Sequence, residues 1–329
     1  MRGYLGALAG LVAVAAAFTG CGDDGSAGGG GGGAPRGTWR TVSSGTMSEL
    51  KGVWGTAGNN VFAIGADVIR RFNGTAWVAG PELGLTAEGM NGPVPAFNLT
   101  AIGGFEAGNY FVAGTTVPED GSGDAGLNQI LRVRGAQYSA LSPDTATTMT
   151  AVWGRAANEV WAVGGERVLR WGGSSWSRFS ATGLAAGSDL YAVWGTSADN
   201  MYVSGARVYH LEGGSWVEVE FPGSSYYFAI WGSSASDVWV LGNGAARHWN
   251  GREWERVLTG TTEPLRAAWG SAANDVWAVG DNGTILHYNG TAWSTIASNT
   301  RVNLRAVYGL GANDVWAVGA NGTTLHYTY

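Results

Sequence analysis

Beyond residue 38, apolar residues fall into short runs of two kinds. Some are continuous, as in Val160-Trp-Ala-Val-Gly and Val276-Trp-Ala-Val-Gly; others stop at once in a polar turn, as in Ile285-Leu-His-Tyr before Asn289-Gly-Thr-Ala-Trp293. Runs of four to six residues rich in Val, Ile, Tyr and Trp and bounded by Gly or Asn-Gly are strands, being too short for helices. A strand that is apolar at every position must be covered on both faces. The recurring Asn-Gly pairs predict tight hairpins of type I′, with positive φ at both central residues.

The pattern recurs seven times as a four-strand unit, a to d. Strand a carries Trp54, Gly103, Trp153, Trp194, Trp231, Trp269 and Tyr308; strand b carries Phe62, Phe111, Trp161, Tyr202, Trp239, Trp277 and Trp316. Strand d carries Trp39, Trp77, Tyr138, Trp176, Trp216, Trp254 and Trp293. The a-to-b spacing is eight residues in all seven copies. The seventh copy is split, because the chain ends after Thr324-Leu-His-Tyr and its missing fourth strand stands at the start, around Trp39. A repeat cut and rejoined in this way predicts a closed ring. The expected fold is therefore all-β, a seven-bladed β-propeller over 38–329 with four-stranded antiparallel blades and an N-terminal strand closing the last. Trp39, Trp161, Trp239, Trp277 and Trp316 are expected to be structural.

Spacing departs from this rule at blade 2. Trp77 to Ala101 is twenty-four residues where thirteen is usual, and Phe111 to Arg132 is twenty-one where the other copies have eight to ten. Since strands alternate in direction, the b–c and d–a connections share one face of the ring, and all large variation falls there. Long loops in compact domains are often functional, so a ligand site is expected at Glu82, Met90, Phe97, Glu119, Asp120 and Asp124. Calcium at Glu119, Asp120 and Asp124 is a weaker option, because the calcium-loop spacing is absent; otherwise no cofactor is expected. Gly103 interrupts the strand-a aromatics and is expected to open space at blade 2.

Strand c supplies one basic residue per blade: Arg71, Arg132, Arg170, His210, His248, His287 and His326. Residues repeated once per blade sit too far apart to converge on one metal ion. Their partners are expected in the column that begins strand b, where Asp237, Asp275 and Asp314 match His248, His287 and His326, and Glu159 matches Arg170. The strand-a aromatics are expected to pack between blades, with a sugar-stacking collar as the alternative.

Twenty-five acids against nineteen bases, of which only Lys51 is a lysine, exclude a nucleic-acid-binding face. The first twenty residues form a basic start, a short apolar core and small residues, the pattern of a secretory signal. Phe18-Thr-Gly-Cys21 resembles the lipobox of bacterial lipoproteins, with Phe18 in place of the usual Leu. That resemblance implies lipidation at Cys21, the only cysteine, and a lipid anchor without a spanning helix. Residues 21–37 are glycine-rich and are expected to act as a flexible tether.

The turns Asn73-Gly-Thr-Ala-Trp77, Asn250-Gly-Arg-Glu-Trp254 and Asn289-Gly-Thr-Ala-Trp293, with the Val-Trp-x-Val cadence, resemble bacterial seven-bladed propellers of the Asp-box (BNR) and tectonin-like kinds. The aspartate of the Asp-box is absent, so the likeness is one of shape. No Gly-x-Ser-x-Gly elbow or His-Glu-x-x-His motif occurs, and catalysis is not expected; a glycosidase or lyase is a remote alternative. The expected function is a non-enzymatic, membrane-tethered scaffold, monomeric and exported to the outer membrane or cell surface. It would bind an envelope protein through the blade-2 insertions. The alternative is a tectonin-like lectin for a cell-surface glycan.

Overall fold

The computed structural model describes residues 37–80, 96–106, 108–117, 127–134, 137–140, 147–223 and 225–329. Twenty-eight strands form seven four-stranded antiparallel sheets, each a blade. Blade 1 consists of Leu50–Ala57, Asn60–Gly65, Val68–Phe72 and Trp77–Ala79 as strands a to d. Strand a of blades 2 to 6 is Ala96–Glu106, Ala151–Ala156, Ala192–Ser197, Tyr227–Ser234 and Leu265–Ala272. Blade 7 joins Leu304–Gly311, Asp314–Gly319 and Thr324–Thr328 to the N-terminal strand Thr38–Thr41. The expected fold and the split last blade are both observed. Strand a is innermost, since residues from all seven copies line one central channel.

Strand b is apolar throughout because neighbouring blades cover both its faces. Val160, Trp161, Val276, Trp277, Val315 and Trp316 are fully buried. At five junctions the strand-b aromatic of one blade meets the strand-d tryptophan of the next edge-to-face. Ring centroids lie at 5.3 Å for Phe111 and Trp176, 6.0 Å for Tyr202 and Trp254, and 5.2 Å for Trp239 and Trp293. The same contact closes the ring, at 5.4 Å between Trp277 and Trp39 and 5.1 Å between Trp316 and Trp77. Each such pair contributes about 0.5–1.5 kcal/mol beyond the burial of its surface.

The closing strand pairs Trp39 with Tyr327 and Arg40 with His326. Val42 N–H donates to the Thr324 carbonyl at 3.1 Å, and the Ser44 hydroxyl donates to the Gly322 carbonyl at 2.6 Å.

The c–d hairpins correct the expected turn chemistry. At Asn73-Gly74 and Asn289-Gly290 only the glycine has positive φ, +98° and +90°. The asparagine instead caps the loop, Asn73 Oδ1 accepting from the Thr75 and Ala76 amides at 3.0 Å. The pair with positive φ at both residues occurs in the b–c turns of blades 6 and 7, at Asn282-Gly283 and Asn321-Gly322. These b–c turns bond to d–a connections, as Asp281 N–H does to the Pro264 carbonyl at 3.0 Å and Ala320 N–H to that of Asn303 at 2.9 Å. Both kinds of connection therefore share one face.

Candidate functional site

The strand-c column is held within each blade. His248 Nε2 lies 2.5 Å from Asp237 Oδ1, His287 Nε2 2.6 Å from Asp275, His326 Nε2 2.7 Å from Asp314 and His210 Nε2 2.6 Å from Asn200. Each imidazole also lies against the strand-b aromatic of its own blade, His326 stacking on Trp316 at 3.8 Å and His248 on Trp239 at 4.1 Å. Burial raises the Asp237 carboxyl, but hydrogen bonds from His248 and Ser233 outweigh it and leave the group below its ordinary range. The Ser233 hydroxyl donates to Asp237. Blade 3 departs from expectation: Glu159 takes two bonds from Arg155, 3.1 Å from Nε and 2.5 Å from Nη2. Arg170 lies instead over the Trp161 ring, 5.5 Å from its centroid.

The strand-a aromatics lie over the inner strand of the following blade. A Cβ built on Gly232 would stand 2.5 Å from Trp194, on Gly270 2.6 Å from Trp231, and on Gly309 2.4 Å from Trp269. They are packing groups between blades. Gly103 opens no space, since a Cβ there would stand 2.3 Å from the Val152 carbonyl of blade 3. It is glycine because two inner strands approach closely.

Among the expected ligand residues, Phe97 is 4% exposed and packs with Leu99 and Tyr110 in the core shared by blades 1 and 2. It is a core residue. Glu82, Met90, Glu119, Asp120 and Asp124 lie outside the described residues, as does Cys21.

The sequence reading missed the column immediately before the small residue of strand a. It runs Lys51, Thr100, Thr150, Tyr191, Phe228, Arg266 and Arg305. In blades 1, 2, 5, 6 and 7 this residue is the extra one of a β-bulge, for example between Leu50 and Gly52 or between Leu304 and Ala306. A bulge breaks alternation and re-aims one side chain. All seven line the channel mouth, on the face of the b–c and d–a connections. The basin encloses about 400 Å³ between Glu49, Lys51, Thr150, Tyr191, Phe228, Arg266 and Arg305. Below it the wall is apolar, with Ala101, Ile102, Val152, Ala229 and Ile230.

The mouth divides into arcs. On blades 4 and 5, Tyr191, Tyr226 and Phe228 form an aromatic group, Tyr191 lying 5.3 Å from Phe228 and 6.3 Å from Tyr226. Burial pushes the Tyr191 phenol above its ordinary range, and Asp189 and Tyr226 add to the shift against Arg266. On blades 6 and 7, Arg266 holds Asp281 through Nε at 3.0 Å and Nη2 at 2.6 Å, while its guanidinium lies 4.4 Å over Phe228. Arg305 Nε donates to Glu49 at 2.8 Å, and its Nη1 lies 3.6 Å from Asp281. On blade 1, Lys51 Nζ donates to Asn98 Oδ1 at 2.8 Å. On blades 2 and 3 the Thr100 and Thr150 hydroxyls donate to the Met149 and Leu190 carbonyls of the next blade, at 2.7 and 2.6 Å.

No family model matches the chain, and no curated protein sequence matches it. Similar folds occur among solved structures. YCF48 bound to D1 peptide is 13% identical with a TM-score of 0.67, covering 88% of this chain and 97% of its own. YCF48 from Cyanidioschyzon merolae is 17% identical with a TM-score of 0.65, over 88% and 99% of the two chains. Virginiamycin B lyase from Staphylococcus aureus is 13% identical with a TM-score of 0.67, over 89% and 100%. A protein named as a lyase and one named with a bound peptide resemble this chain equally well, so the likeness is one of propeller architecture.

Proposed function

We propose that this protein is a non-enzymatic recognition propeller, held at the cell envelope through Cys21, which binds a peptide segment of a protein partner at its channel mouth. One observation carries the reading. A column of unlike side chains, set by bulges in five of the blades, lines one basin, whereas the strand-b and strand-d columns repeat aromatic residues and the strand-c column repeats basic ones. A packing position tends toward uniformity under the sevenfold repeat; a recognition position does not. The basin lies on the face of the b–c and d–a connections, the connections whose length varies most along the sequence. A similar propeller, YCF48, is known with a D1 peptide bound, which supports a peptide as occupant.

The test is affinity capture from envelope extract with the full chain and with Tyr226→Ser/Phe228→Ala, against Thr291→Ala on the opposite face as control. Capture lost only in the mouth variant supports the reading; equal capture by all three overturns it. Cys21→Ser should move the protein from the membrane to the soluble fraction. The aromatic group at the mouth also favours a second reading, a sugar stacked on Tyr226, which a glycan array would detect as binding removed by Tyr226→Ser.

A further inference from the structure

Among the described residues, the cations Lys51, Arg266 and Arg305 at the mouth differ in their partners. Arg266 and Arg305 are tied to Asp281 and Glu49 in one network, two positive charges against two negative. Charge-assisted pairs of this kind hold the guanidinium groups in place and neutralise them. Lys51 differs. Among the described residues its hydrogen-bond partner is the neutral Asn98 amide, which takes one of its three N–H donors. Lys51 also lines both the basin and the throat below it. Among the described residues Lys51 is therefore the mouth cation whose hydrogen bond goes to a neutral group. The aromatic group Tyr191, Tyr226 and Phe228 belongs to blades 4 and 5, across the channel from blade 1.

We propose that Lys51 is the specificity-determining residue of the mouth and binds a carboxylate of the peptide partner, whose apolar or aromatic side chain rests on Tyr226 and Phe228. The inference rests on the reading of the mouth as a peptide site. It assigns the ligand class, an acidic peptide, and its polarity across the channel. The arginines position the site and leave selection of the anion to the lysine. An ammonium suits this role because it is a compact charge whose donors can turn toward either carboxylate oxygen. The carboxylate could come from an acidic side chain or from a chain terminus, and the chemistry at Lys51 is the same.

The test uses the full-length protein and a pool of synthetic nonapeptides. Each carries one Asp or Glu and one aromatic residue, and each has twins with Asn or Gln at the acid and with an amidated C-terminus. Peptides retaining a carboxylate should be enriched over their neutral twins, and the amidated twins identify which carboxylate is used. Lys51→Gln should weaken the enriched peptides about tenfold to a hundredfold, the range for a hydrogen bond to a charged group, while Lys51→Arg keeps most of the affinity. Because Lys51 is the only lysine, acylation by an amine-reactive ester, located by peptide mapping to separate it from the α-amino group, reports on the mouth in the unaltered protein, and bound peptide should protect that side chain. Enrichment of neutral or basic peptides, or acidic peptides that neither need nor protect Lys51, overturns the assignment and leaves the peptide site standing. No enrichment of any peptide overturns both.

Discussion

Restoring an aromatic residue to the gap in the strand-a column should fail, and even a methyl group at that position should be costly. A Cβ at Gly103 would lie 2.3 Å from the Val152 carbonyl oxygen and 2.8 Å from its carbon. Both atoms are backbone, so no rotamer relieves the contact. Blades 2 and 3 would have to separate by about 1 Å at their inner strands, and overpacking of this kind costs about 1–3 kcal/mol. Gly103 has ordinary φ, so Ala there would otherwise stabilise by about 0.4–1 kcal/mol through the unfolded chain. Because both clashing atoms are backbone, the cost lies in the upper half of that range, about 2–3 kcal/mol, and about 1–2.6 kcal/mol remains net of the gain, so Gly103→Ala should lower Tm by about 2–10 °C, at about 2–4 °C per kcal/mol for a domain of this size class, and Gly103→Trp by more. Gly311→Ala is the control, because a Cβ there meets nothing within 4 Å and its φ is also ordinary; its Tm should hold or rise. Thermal unfolding followed by tryptophan fluorescence reads all three. Gly103→Ala melting within about 1 °C of the parent would refute the argument that close approach of the strands selects the glycine.

Three further outcomes follow from other parts of the ring. The Asp237 carboxyl is lowered in the folded state, so its contribution is present above the ordinary aspartate range near pH 4 and is lost as pH falls through the lowered value. Asp237→Ala should cost about 1–3 kcal/mol at pH 7 and flatten that acid limb in urea titrations at stepped pH. Burial, with Glu212 adding, raises the Tyr202 phenol to about 12. Stability should thus be level below pH 10 and decline as pH rises through that value, and difference absorbance should show Tyr202 still protonated at pH 11. Deleting 37–44 removes the closing strand with Trp39 and Ser44, and should unfold the ring as one unit instead of fraying blade 7, as a single shifted transition by circular dichroism would show.

Most of the architecture was legible because repetition acts as an internal alignment. Eight residues from Trp269 to Trp277 and from Tyr308 to Trp316 set the same strand pair in each blade, and the detached Trp39 could find its place only against Trp277 and Tyr327. Where reading by column failed, a contact between blades or across a turn had displaced the local rule. Glu159 stands two residues before Trp161, whose strand-c partner is Arg170, yet Arg155, four residues back across the a–b turn, holds it instead. Gly103 reads as a gap when residues are compared along a column and as a tight fit when the neighbouring blade is present. The mouth column was overlooked for a related reason. Between Leu50 and Gly52, or between Leu304 and Ala306, alternation predicts a side chain turned into the sheet sandwich, and only the register shift of the bulge turns Lys51 or Arg305 toward the channel. One signal was available: this column mixes Lys, Thr, Tyr, Phe and Arg, whereas its neighbours Leu50 and Gly52 stand in columns of apolar and small residues.

That mixture also separates two duties of the same position. On blades 2 and 3 the mouth residue is a fastener: the Thr150 hydroxyl donates at 2.6 Å to the Leu190 carbonyl, joining blade 3 to blade 4. Thr150→Val keeps the shape and removes that bond, while the Thr150 amide still donates to the Val163 carbonyl at 2.7 Å. The loss should be about 1–3 kcal/mol of stability, with peptide capture intact. Phe228→Ala removes a half-exposed ring that Arg266 covers on one face, and the arginine keeps both bonds to Asp281 without it. Its cost in stability should be smaller than that of Thr150→Val and its cost in capture larger. If the two variants lost stability and capture in the same proportion, the mouth would be one cooperative structural layer, and the division of the column into fasteners and recognition residues would be wrong.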